Sequence, residues 1–179
     1  MTSGIQFLWD EFMMLQDRLW RDMEDPQTQA ESCAAVLDLA DRAEQVKGQT
    51  EDEQRTLMCW RATFFRLCAE LQVDLGRLDE AIVFFRTSLI HDDDQEVRVG
   101  LIAALQQHNL TGELCQEINA LSGYDGTFCS TGDAESAAKV LRVLCNAPDV
   151  VQHIREAVLK DIVQAVSRRG LVSLQLNSG

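Results

Sequence analysis

Proline is nearly absent from this chain, with two in 179 residues, and tyrosine occurs once and histidine three times. Glycine is sparse as well. Chains poor in Pro and Gly and rich in Ala, Leu, Glu, Gln and Arg suit long helices, because those side chains lose little entropy in a helix. The histidines, His91, His108 and His153, are never four residues apart, which excludes the H-E-x-x-H pattern of helical zinc enzymes. Cations are scarce too: 16 Lys and Arg face 29 Asp and Glu, a net charge of −13. That speaks against a nucleic acid or an anionic membrane as partner, since both are gripped by cations. An acidic surface stays soluble and steers in a basic partner. Apolar runs fall short of the about 18 residues that suggest a membrane span. The opening aromatic run is broken by Asp10 and Glu11 and lacks a basic lead-in, so no signal peptide is expected.

Paired cysteine spacings are also missing. Cys33, Cys59, Cys68, Cys115, Cys129 and Cys145 form no C-x-x-C unit. Most sit inside apolar helical patterns, where a free cysteine acts as a small hydrophobe. The reading is a reducing, cytoplasmic compartment and no metal. Asp92-Asp93-Asp94 lacks the spaced ligands and central glycine of a calcium loop. Nucleophile elbow, P-loop and dinucleotide fingerprint are absent as well. No cofactor and no catalytic residue are therefore expected.

What the chain does have is helical periodicity. Hydrophobic residues make up 46%, and most recur at three-to-four spacing. Helices are expected over 5–23, 27–47, 51–75, 78–90, 95–108, 111–121, 133–146 and 148–169. Ile5, Leu8, Trp9, Phe12, Leu15 and Leu19 form the first stripe, and Leu57, Trp60, Phe64, Leu67, Cys68 and Leu71 the third. Asp25-Pro26, Thr50 with Glu53, Asp94 and Asp133 read as N-terminal caps. Gly48, Gly76 and Gly170 read as stops. Residues 122–132 read as a loop. The tail 171–176 is left open between strand, extended arm and the start of another element. Trp9, Phe12, Met13 and Met14 are expected to pack on the second and third helices; the alternative is an adaptable Met-rich surface.

Helical hairpins joined by short turns call for a search for internal periods. Residues 62–95 span 34 positions with Phe65, Ala69, Gly76, Ala81, Phe85 and Ser88 in order. This pattern, above all Gly76-Arg77-Leu78-Asp79-Glu80-Ala81-Ile82, resembles a tetratricopeptide repeat. Ala103, Cys115 and Ser122 follow Ala69, Ala81 and Ser88 by 34 residues, with Leu110 in the turn position, Gly112 two residues later and Asn119 in place of the aromatic. A third echo begins at Gly132-Asp133-Ala134.

The resemblance implies an all-α fold of antiparallel helical hairpins stacked as a short solenoid. An N-terminal helical cap would occupy 1–48, repeats 49–148, and a capping helix and tail 149–179. It implies a groove lined by Thr63, Arg66, Glu70 and Asp74, and in the next repeat by Val97, Gly100, Ala104 and His108. The subgroup that grips C-terminal carboxylates carries Lys and Asn at two of these places. Arg66, Glu70, Gly100 and Ala104 depart from that pattern. The loop residues Tyr124 and Phe128 complete the candidate partner surface.

The function implied is a non-catalytic protein–protein interaction module: an adaptor, a scaffold or a small acidic chaperone of the export type. It would bind a peptide or helix of another protein. Homodimerisation stays open. The alternative class is an all-α enzyme or small-ligand sensor with a central cavity.

Overall fold

The computed structural model describes residues 4–21, 26–48, 50–121 and 131–176, with side chains at 4–17, 27–48, 50–121 and 135–167. The fold is all-α, and the described residues contain no strand. The helices are α1 (Gly4–Arg21), α2 (Pro26–Gln45), α3 (Glu51–Asp74), α4 (Leu78–His91), α5 (Gln95–Gln107), α6 (Thr111–Ala120), α7 (Thr131–Asn146), α8 (Pro148–Val151) and α9 (Glu156–Leu176). They divide into two compact units, Met1–Val97 and Arg98–Gly179, with the boundary inside α5. The charge divides unevenly. Residues 1–97 carry 21 of the carboxylates against 9 Lys and Arg, whereas 98–179 carry 8 against 7.

In the first unit α1, α2 and α3 close on one core. Leu8 and Phe12 from α1, Val36 and Leu39 from α2, and Phe64 and Cys68 from α3 meet in it. Two aromatic pairs seat α1 on α3. The Trp9 and Trp60 rings stack with centroids 4.9 Å apart, and Phe12 meets Phe64 at 4.7 Å. Such pairs add about 0.5–1.5 kcal/mol beyond the area they bury. The α1 expectation thus divides. Trp9 and Phe12 pack inward, while Met13 and Met14 are exposed, as is Phe7.

Helix α4 packs back on α3. Ala69 and Ala81 are wholly buried, and the Ser88 hydroxyl donates to the Ala62 carbonyl at 2.7 Å. The turn between them is a Schellman cap. Arg77 N–H donates to Gln72 O and Gly76 N–H to Val73 O, with Gly76 at φ +71°, a conformation glycine adopts without steric cost. The α5–α6 turn repeats this. Leu110 N–H donates to Leu105 O and Asn109 N–H to Gln106 O, with Asn109 at φ +60°. The left-handed residue there is Asn109, and Gly112 lies within the first turn of α6.

Several ends differ from the sequence expectation. Thr50 caps α3 as expected, accepting from Glu53 N–H, and Asp94 Oδ1 accepts from Glu96 and Val97 N–H at 2.7 and 3.0 Å to cap α5. Asp25 lies outside the described residues. Helix α7 begins at Thr131, so Asp133 falls inside its first turn. Gly48 follows α2 without a positive φ; a Cβ there would meet the Gln54 nitrogen at 2.6 Å, so close approach is what requires glycine. The expected helix 148–169 is two pieces, α8 and α9, parted by a turn at 152–155. Helix α9 runs through Gly170 to Leu176. A glycine inside a helix costs only about 1 kcal/mol, so the tail is helical rather than a strand or arm.

Asn119 explains the break before α9. Its Nδ2 donates to His153 O at 3.1 Å, and its Oδ1 accepts from Arg155 N–H at 2.9 Å. Asn119 thereby occupies backbone groups that a continuous helix would have paired internally. A phenyl ring at this position could supply neither bond.

Candidate functional site

The groove residues expected on α3 share one face. Arg66 is half-buried, and Thr63, Glu70 and Asp74 are exposed, while Phe64, Cys68 and Leu71 are buried. The Thr63 hydroxyl is turned onto its own helix and donates to Cys59 O at 2.9 Å. Arg66 is gripped from two sides. Its Nε donates to Glu70 Oε1 and its Nη1 to Glu96 Oε2, each at 2.9 Å. Burial alone would lower the Arg66 pKa; the hydrogen bonds and charges of Glu70 and Glu96 outweigh it and raise the pKa. The guanidinium is held by Glu70 and Glu96, and Asp74 adds a second carboxylate to the row on α3. Glu96 sits in the first turn of α5, where its charge also complements the helix dipole. Its spacing from Arg66 carries no local signal, so the sequence reading missed it.

The other expected positions fall differently. Val97 is 3% exposed and Ala104 1%, so these two groove positions of α5 are covered. Gly100 and His108 are partly exposed. Tyr124 and Phe128, with Cys129, lie outside the described residues. Of the eight described positions, Thr63, Arg66, Glu70 and Asp74 form one row on α3, whereas Val97 and Ala104 are buried and His108 falls in the other unit.

Beside the row lies an aromatic cluster. The Phe65 ring stacks on His91, centroids 5.6 Å apart and planes within 6°, and on Phe84 at 6.3 Å. Burial lowers the His91 pKa, the Arg61 charge lowers it further, and Glu44 opposes. Arg61 itself donates from Nη2 to Ala43 O at 2.7 Å in the last turn of α2. Cys59 is exposed, but desolvation and then Asp92, through charge and hydrogen bonding, raise its pKa. A thiol held protonated there is a poor nucleophile.

The remaining thiols divide as well. Cys145 is exposed, Cys115 partly buried, and Cys33 and Cys68 are buried. Cys33 on α2 and Cys68 on α3 face each other with Gln72 beside them. Among the described residues, no three His, Cys, Asp or Glu gather as a metal site. None of the described helices is long and apolar enough to cross a membrane.

No protein-family model matches this chain, and neither a curated protein nor a solved structure matches it.

Proposed function

We propose that this chain is a non-catalytic protein-binding module of tetratricopeptide-like hairpins, and that the α3 row takes a basic peptide segment of another protein. The observation that carries the reading is the two-faced character of α3. One side is spent on the core, and the other leaves Arg66, Glu70 and Asp74 in line with Glu96 at the end. Three carboxylates against one paired guanidinium make a row that attracts Lys and Arg. The excess of acid in residues 1–97 extends that attraction, which raises the encounter rate for a cationic segment.

Two features support the repeat relation. The α3–α4 and α5–α6 turns are the same Schellman cap, 33 residues apart. The residue that starts the second helix has nearly the same backbone in both: φ −94°, ψ 71° at Arg77, and φ −85°, ψ 67° at Leu110. Free buried thiols suit the cytoplasm, the compartment we assign. An adaptor or scaffold, or a chaperone that shields an export substrate, would use such a row in the same way.

Selection from a displayed random-peptide library tests the reading. Selected peptides should be Lys- and Arg-rich, and affinity should fall as salt rises. Glu70→Lys with Asp74→Lys should reduce affinity at least tenfold. Peptides that bind this double variant as well as the parent chain would remove the α3 row from the proposal. A small molecule co-purifying in place of a stoichiometric protein would favour a ligand-sensing role.

A further inference from the structure

Two of the buried polar contacts in the first unit serve neither the α3 row nor a helix end. Gln72 Nε2 donates to the Cys33 sulfur at 3.3 Å, and the Cys68 thiol lies 3.6 Å from the Cys33 carbonyl oxygen. Each cysteine shifts the other's pKa. Two thiols are thus held against each other across the α2–α3 contact, among Val36, Phe64 and Leu71. Gln72 is only 7% exposed, and its Oε1 has no hydrogen-bond partner. The amide is committed to sulfur rather than to the backbone.

We propose that Cys33 and Cys68 are an oxidation site, where a hydroperoxide converts the two thiols into a disulfide joining α2 to α3. Their surroundings divide the roles. Interaction with Cys68, with help from Gln72 and Arg77, lowers the Cys33 pKa against the opposing effect of burial. Cys68 is raised by its interaction with Cys33, by burial and by the Cys33 charge. Cys33 keeps 3% exposure and Cys68 none. Cys33 is therefore the sulfur that meets the oxidant, and Cys68 the one that resolves it.

The Cys33 thiolate attacks one peroxide oxygen, the O–O bond breaks, and the departing hydroxide takes a proton to become water. Cys33 is then a sulfenic acid. The Cys68 sulfur attacks the Cys33 sulfur, the S–O bond breaks, and the Cys68 proton leaves with that oxygen as a second water. Two thiols are oxidised by two electrons, and one peroxide is reduced to two waters. The product carries no charge, which suits an apolar core. The link closes a loop that contains the α2–α3 connection, so the oxidised chain should resist unfolding more than the reduced one.

The test uses the full chain and hydrogen peroxide, followed by alkylation of remaining thiols and peptide mass mapping. A Cys33–Cys68 cross-linked peptide is expected, reversed by dithiothreitol, with a higher melting temperature in the oxidised sample. Cys68→Ala should leave Cys33 as a sulfenic acid trapped by dimedone. Because that variant removes a core side chain and can fail to fold, Cys59→Ser with Cys145→Ser is run beside it and must still form the link. Recovery of both Cys33 and Cys68 as alkylated thiols while Cys59 or Cys145 is oxidised would overturn the proposal. So would a cross-link between any other pair.

Discussion

Ser88 on α4 donates its hydroxyl to the main-chain oxygen of Ala62 on α3 at 2.7 Å, with the serine wholly buried. A bond of this kind ties the far end of the hairpin, since Gly76 already closes the near end. Ser88→Ala should cost about 1 kcal/mol, the net worth of one neutral hydrogen bond. Ser88→Val should cost more, because it also adds volume at a filled position. Urea denaturation of the two variants checks the order; a Ser88→Val protein as stable as the parent would contradict the contact.

Ala81 is wholly buried where α4 packs on α3. Ala81→Leu should overpack that contact and cost about 1–3 kcal/mol. Val83, one turn face away, is 57% exposed, and Val83→Leu should be near neutral because surface substitutions move stability by about 0.5 kcal/mol or less. Equal melting temperatures for these two variants would mean that α4 presents another face to α3.

Arg98 and Glu117 form an ion pair between α5 and α6, with side chains 15% and 21% exposed. Removing one partner leaves the other charge poorly solvated. Glu117→Ala should therefore destabilise by about 3 kcal/mol, near the low end for breaking a buried pair. Arg98→Met with Glu117→Leu should recover most of that loss. A double variant less stable than Glu117→Ala would refute this account.

His91 makes a pH dependence. Its ordinary pKa is 6.5, and in the folded chain burial and Arg61 lower it, with Glu44 opposing. The folded state therefore disfavours the protonated ring. Its contribution is fully present above the unfolded value of 6.5 and is lost as pH falls below it. His91→Phe keeps a ring against Phe65 and cannot protonate. The melting temperature of the variant should fall less than that of the parent between pH 7.5 and pH 5.5. Parallel curves would show that the ring is neutralised by solvent rather than held by its neighbours.

Asn119→Phe places the aromatic of the repeat pattern at its usual position. Here it should destabilise by about 1–3 kcal/mol, because His153 O and Arg155 N–H lose their partners. Amide exchange at Arg155 should accelerate in the variant. An unchanged exchange rate would mean that the turn at 152–155 is set by its own backbone.

The helical class and most helix ends were legible in the sequence because they rest on neighbours three to five residues apart. Thr50 and Asp94 cap their helices through backbone groups two or three residues on, and Gly76 takes the positive φ that its turn demands. Ala69 and Ala81, small side chains expected where α3 and α4 pack, are wholly buried. That Thr63, Arg66, Glu70 and Asp74 share one face of α3 follows from helical period, whereas their choice as groove residues came from the tetratricopeptide resemblance.

Only the tertiary structure could decide the rest, because its causes lie far along the chain. Asn119 parts α8 from α9 by reaching 34 and 36 residues ahead. Val97 and Ala104 read as groove positions by register, yet packing covers them. Arg66 gains Glu96 from the next hairpin. Cys33 and Cys68, 35 residues apart, meet through the crossing of α2 and α3. Periodicity says which side of a helix is apolar, but not which polar atom from elsewhere will arrive there. That depends on how whole helices cross, and the crossing is an outcome of packing the entire core.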